Sequence, residues 1–228
     1  WGMKFSDWTG NSKYINRNAM LSNWMWQHWI EDKLSRNIPY DEIVYGHVCA
    51  TSLDGRSRAE FLAETEVILH RSAGRYNFDD DRLYARRRTN ELYWSNVERR
   101  NPETMVLQTA NAFLGLRLEC AQCHNHPFDR WTMDDYYSFG AFFAQIGRKR
   151  GEDPRETIIF NSGGGEVRHL VGGRVMKPKF LGGIEPDTAG KDRRVILAKW
   201  LASDQNPYFA RNLANIVWAH FLGKGVIN

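Results

Sequence analysis

The sequence predicts a mainly α-helical protein: a helical domain, a small glycine-rich β/loop insert and a C-terminal helix pair. Three observations carry this. Apolar residues recur at helical spacing through most of the first 147 residues, glycine clusters crowd residues 150–183, and two further helical patterns follow from residue 192. With 42% hydrophobic residues among 228, the chain can bury a sizeable core.

Taken in order, Met20, Leu21, Trp24, Met25, Trp29 and Ile30 recur near helical spacing from Ala19 to Leu34, and Pro39 marks the break that follows. Tyr40 to Ala50 reads as a short amphipathic helix. Ser57 to Arg71 sets Phe61, Leu62, Thr65, Ile68 and Leu69 on one side, with Gly74 as its stop. Asp79 to Arg99 is rich in charge and is expected to be an exposed helix. Asn101-Pro102-Glu103 has the form of an N-cap followed by proline at the first helical position, so a helix is predicted from Pro102 to about Glu119. Thr132, with Asp134 and Asp135 in the first turn, opens another helix through Phe143 to about Ile146.

The insert contains Gly163-Gly164-Gly165, Gly172-Gly173 and Gly182-Gly183, two prolines and the β-prone Thr157-Ile158-Ile159-Phe160, which predicts loops with two or three short strands. No Gly-Lys-Ser/Thr follows these glycines and the Rossmann spacing is absent, so they read as turns rather than a phosphate cradle. Helix returns over Asp192–Ser203 and Pro207–Leu222. The expected division is residues 1–149 as a helical domain, 150–189 as the glycine-rich segment completing it, and 190–228 as the start of a further helical segment.

The balance of 31 basic against 27 acidic residues gives +4. Apart from Arg86-Arg87-Arg88 and Arg148-Lys149-Arg150 the positive charge is scattered, and no nucleic-acid motif accompanies these runs, which read as solvated faces. No stretch approaches the roughly 18–20 apolar residues of a membrane span. The chain opens at Trp1 and stops at Gly225-Val226-Ile227-Asn228, so a fragment is expected, with any signal peptide outside it.

The chemistry concentrates in Cys120-Ala121-Gln122-Cys123-His124, because Cys-X-X-Cys-His is the spacing that attaches haem c. Under that reading Cys120 and Cys123 form thioethers and His124 is the proximal iron ligand. Leu116, Phe128, Trp131 and Phe139 are candidates for an apolar wall, and Arg117 and Arg130 for pairing with propionates or for surface ion pairs. Met105, Met133, His169 and Met176 are the candidate distal ligands. His126 opens a second reading, in which Cys120, Cys123, His124 and His126 hold zinc or iron with Asp129 orienting a ligand, although drawing all four donors from seven residues is cramped for a structural site. A third reading makes the motif purely structural.

Other chemistry is sparse. Cys49 is expected as a buried, inert thiol. No Gly-X-Ser-X-Gly elbow, His-Glu-X-X-His pair or Walker loop is present, and Asp79-Asp80-Asp81 and Asp134-Asp135 read as caps or solvated faces. Most of the nine tryptophans, including the cluster Trp24, Trp26 and Trp29, are expected in the core rather than at a sugar site. No catalytic residue is assigned.

Around the motif, Phe113-Leu114-Gly115-Leu116-Arg117-Leu118, then Cys120 through Thr132, then Asp134-Asp135-Tyr136-Tyr137 running into Phe142-Phe143, resemble the planctomycete cytochrome C domain family, a domain of unknown function despite its label. Gly165-Glu166-Val167-Arg168-His169 and Pro178-Lys179-Phe180-Leu181-Gly182-Gly183 look like that family's C-terminal strands. Asp192-Arg193-Arg194, Leu197-Ala198-Lys199-Trp200-Leu201 and Asn206-Pro207-Tyr208-Phe209-Ala210-Arg211, leading to Asn215 through Phe221, look like the opening of its usual companion domain. The resemblance implies a large exported protein, periplasmic or at the cell surface. The function expected is an exported c-type cytochrome-like module with one covalent haem, passing electrons within a multidomain redox protein to a redox partner or neighbouring cytochrome domain. The alternative is a non-haem metal-binding or structural module of a surface-associated enzyme acting on complex carbohydrate.

Overall fold

In the computed structural model, residues 1–11, 17–71, 78–95, 101–152 and 156–227 are described, with side chains except at 17–21, 69–71 and 78–81. Regular structure among them is ten α-helices and two small antiparallel hairpins, which is the mainly helical class expected. The chain divides into two compact units, Trp1–Val97 with Ile146–Ser162, and Glu98–Gln145 with Gly163–Asn228.

In the first unit α1 (Gly2–Trp8) packs on α2 (Arg17–Ser35), which in turn packs on α5 (Phe78–Ala85). Along α2 the apolar positions 25, 26, 29 and 30 fall on one face, and Met25, Trp26, Trp29 and Ile30 are buried, while Trp24 is partly exposed. The burial of Trp29 is possible because its Nε1 donates to the Arg87 carbonyl at 2.9 Å and because Gly46 leaves room for the ring. α3 (Tyr40–Val48) supplies Ile43, Val44 and Val48 to the same core. Cys49, its C-cap, is half-buried and forms no disulfide.

α4 (Arg58–Arg71) carries Phe61 and Ile68 inward. Gly74 and residues 96–99 lie outside the described residues. The exposed helix expected over Asp79–Arg99 is instead two short helices, α5 and α6 (Leu92–Ser95), with Tyr84, Tyr93 and Trp94 fully buried between and within them. Two of the charges turn inward and pair, buried Arg87 donating to Glu64 at 3.0 Å and to Glu91, while Arg82, Arg86 and Arg88 stay exposed. The hairpin of β1 (Ile146–Arg150) and β2 (Thr157–Asn161) closes this unit. Ser52 anchors it twice, its N–H donating to the Ile159 carbonyl and its Oγ accepting from the Ile159 N–H, both at 2.9 Å.

The second unit begins with α7 (Pro102–Thr109), where Asn101 Oδ1 accepts the Thr104 N–H at 3.0 Å and Pro102 occupies the first helical position, as expected. The helix does not run to Glu119. It widens into a π turn at Ala110–Leu114 and ends at Gly115, whose φ of 65° is the left-handed cap that favours glycine. α8 (Met133–Gly140) opens on a capping box between Thr132 and Asp135 and ends sooner than expected, in turns that bury Phe142 and Phe143.

β3 (Val167–Arg168) and β4 (Val175–Met176) form the second hairpin, whereas 178–183 is extended and turn rather than strand. α9 (Arg193–Leu201) is capped by Asp192, which also pairs with the fully buried Arg194. α10 (Phe209–Leu222) follows, its start held by Asn206 Oδ1, which accepts the Tyr208 N–H at 2.9 Å. The core of this unit is aromatic: Phe180 stacks between Phe142 and Trp200 at 5.1 and 4.8 Å, nearly parallel to both, and Phe139 meets Phe142, Phe143 and Trp200 edge-on.

Candidate functional site

After Gly115 the chain crosses the surface of the second unit as irregular backbone, pinned by Leu118 and Ala121, both fully buried. With residues 118 and 121 turned inward, Cys120, Cys123 and His124 face solvent. Cys120–Gln122 forms a single 3₁₀ turn, and both the Cys123 and the His124 N–H groups donate to the Cys120 carbonyl at 3.3 Å. Two exposed thiols and an exposed imidazole therefore share one tight turn.

The two histidines differ in what their rings already do. His124 Nδ1 lies 2.8 Å from the Asn125 carbonyl, an acceptor only, so this nitrogen carries the proton and Nε2 keeps its lone pair. That backbone bond is the usual support of a metal-binding imidazole. His126 is the reverse: its Nδ1 accepts the Phe128 N–H at 3.2 Å, which places the proton of the neutral ring on Nε2 and leaves no lone pair for a metal. The His126 N–H donates to the Trp131 carbonyl at 2.8 Å, so the residue closes the loop 126–131.

The platform is α8. Its first N–H, at Met133, donates to Asn125 Oδ1 at 3.1 Å, and the Tyr137 hydroxyl donates to the Gln122 carbonyl, between the two cysteines, at 2.9 Å. Burial pushes the Tyr137 phenol above its ordinary 10.0, with Glu103 and Cys123 adding to the effect, so it remains a neutral donor. Behind it the buried His169 ring packs on Tyr137 at 5.1 Å, with Nε2 3.2 Å from Asp134 Oδ1. The Asp135 of the capping box is pushed up by burial, but the hydrogen bonds from Thr132 and Lys179 outweigh this and hold it below its ordinary value.

The surroundings depart from the expected apolar wall. Phe139 belongs to the aromatic core and Trp131 is buried, leaving only half-buried Leu116 and Phe128, which is 94% exposed, at the surface. Arg130 forms no ion pair with a described residue. Its guanidinium lies over the rings of Trp131 and Tyr208 at 4.8 and 5.9 Å and donates to the Tyr208 hydroxyl. Arg117 is exposed. Of the candidate distal ligands, Met105, Met176 and His169 are buried, His169 Nδ1 being already within 3.0 Å of the Val171 N–H, and Met133 is half-buried at the start of α8.

The four-donor alternative is not assembled. Among the described residues no three His, Cys, Asp or Glu side chains are gathered so that they could hold a metal ion, and Cys120, Cys123, His124 and His126 are no exception. For haem c the donor set does fit: two accessible thiols three positions apart and one adjacent imidazole with its second nitrogen available. The roles of Tyr137, Asn125 and His126 in holding the turn could not be seen in the sequence, where a Tyr or Asn carries no such label.

Residues 1–148 match the PSCyt2 family, described as a protein of unknown function (DUF1549). The chain therefore belongs to this family, the planctomycete cytochrome C domain expected from the motif. Residues 193–228 match PSD1, likewise a protein of unknown function (DUF1553), its usual C-terminal companion. No curated protein and no solved structure matches the chain. No helix among the described residues is long and apolar enough to cross a membrane.

Proposed function

We propose that this chain is an exported c-type cytochrome module that holds one haem covalently through Cys120, Cys123 and His124 and passes electrons to a redox partner or neighbouring cytochrome domain of a larger periplasmic or cell-surface protein. The observation that carries the reading is the division of labour between the histidines: His124 keeps a nitrogen available for iron while its other nitrogen is held by the Asn125 carbonyl, and His126 spends its acceptor nitrogen on the loop. When bound, haem would supply one-electron redox chemistry. The chain's own part is to present both thiols from one turn, to fix the His124 tautomer, and to hold the turn on α8 through Tyr137 and Met133.

The test is a pyridine haemochrome spectrum of acid–acetone-extracted protein, produced with export and a cytochrome c maturation system. A c-type α band that stays with the polypeptide in wild type and in His126→Ala, and is lost in Cys120→Ala/Cys123→Ala, is the expected result. Absence of the band in wild type, with about one zinc or iron per chain by elemental analysis, would refute it in favour of the non-haem module.

A further inference from the structure

Tyr208 and Asn212 stand four residues apart at the start of α10, where the Asn212 N–H donates to the Tyr208 carbonyl at 2.8 Å, so both side chains project from one face of the first turn. Asn212 reaches the chain before the motif. Its Nδ2 donates to the Ala112 carbonyl at 3.0 Å, and its Oδ1 fills the space beside Gly115, where a Cβ would meet it at 2.6 Å. Tyr208 reaches the chain after the motif. Its ring meets Trp131 at 5.9 Å and 65°, and its hydroxyl accepts from Arg130, which lies over both rings. The Trp131 carbonyl in turn holds the His126 N–H.

We infer that the first turn of α10 is a clasp on the Cys-X-X-Cys-His segment, with Tyr208 and Asn212 as positioning residues that grip its two flanks. The grip comes from the stretch that matches the companion family, so that stretch completes the motif-bearing unit rather than only following it. Gripping both flanks reduces the conformations open to residues 116–130 and so preorganises the turn that presents the thiols. The value of the clasp for haem attachment rests on the function proposed above; the geometry that defines it does not.

Hydrogen exchange of the full chain, read by mass spectrometry over peptides spanning 118–132 and 40–48, tests this without haem. Tyr208→Ala and Asn212→Ala should each speed exchange in 118–132 by about tenfold and leave 40–48 unchanged, because only local opening is eased. Tyr208→Phe keeps the ring on Trp131 and Arg130 and should restore most of the protection. Unchanged exchange over 118–132 in both alanine variants, or equal acceleration in both peptides, would overturn the clasp. If Tyr208→Ala does not fold, Asn212→Ala decides: faster exchange confined to 118–132 supports the clasp, and wild-type exchange there overturns it. Wild-type protein that takes up no covalent haem but shows the expected exchange pattern would sink the haem reading and leave the clasp standing.

Discussion

A Gly115→Ala substitution would place a methyl group in the left-handed turn that ends the helix before the motif. At φ 65° an L-residue costs about 1–2 kcal/mol more than glycine. The new carbon would also lie 2.6 Å from Asn212 Oδ1, so Asn212 must swing away and give up its bond to the Ala112 carbonyl, a further loss of about 1 kcal/mol. The expected destabilisation is therefore about 2–3 kcal/mol. Gly172→Ala is an internal control in the same unit, since Gly172 has φ 77° with nothing within 4 Å of an added Cβ, and should carry the backbone term alone, about 1–2 kcal/mol. Urea unfolding followed by tryptophan fluorescence, with midpoint and slope compared, measures both. Combining Gly115→Ala with Asn212→Ala should cost less than the sum of the single changes, because the collision is already gone. Equal losses at Gly115 and Gly172, or strict additivity in the double variant, would refute the argument.

Three further outcomes are expected. Trp200→Ala removes a ring stacked on Phe180 and touching Phe139, and should lower stability in urea unfolding by about 3–5 kcal/mol. Asp135 has a folded pKa below its ordinary 3.8, so its bonds stabilise fully above that value and the stabilisation fades as pH falls through the folded pKa; Asp135→Asn should be less stable than wild type at neutral pH, with the gap narrowing as pH falls below 3.8 in paired urea titrations. Phe128→Ser, at a side chain that touches almost nothing, should leave thermal stability of the haem-free protein within about 0.5 kcal/mol.

Much of the helical framework was legible because it is written locally. Asn101-Pro102, the Thr132–Asp135 pair and Asp192 cap helices with their own side chains, and periodicity placed Met25, Trp29 and Ile30 inward. What escaped the reading depends on distant partners. Within the basic run 86–88 only Arg87 turns inward, toward Glu64, which neutralises it from 23 residues away in sequence, and Phe139 looked like a wall because Trp200, which helps enclose it, comes from elsewhere in the unit. The early helix stop at Gly115 was marked in the residue itself, but the apolar run Phe113 to Leu118 reads equally well as continuing helix. At the site, the five motif residues were visible, yet which histidine keeps a nitrogen available is decided by one carbonyl and one amide that carry no sequence signal.

The π turn at Ala110–Leu114 lets the chain ahead of the motif absorb a change of length. A π turn holds one residue more than the α-helix it interrupts. Deleting one of its five residues would let α7 run on as regular helix, and because four residues of an α-helix already turn the chain by about 400°, the helix would still reach Gly115 in nearly the same direction. Exposed turns such as 170–173 can gain or lose residues over evolutionary time at little cost. Between Pro102 and Gly115 a single-residue loss is taken up within the helix itself.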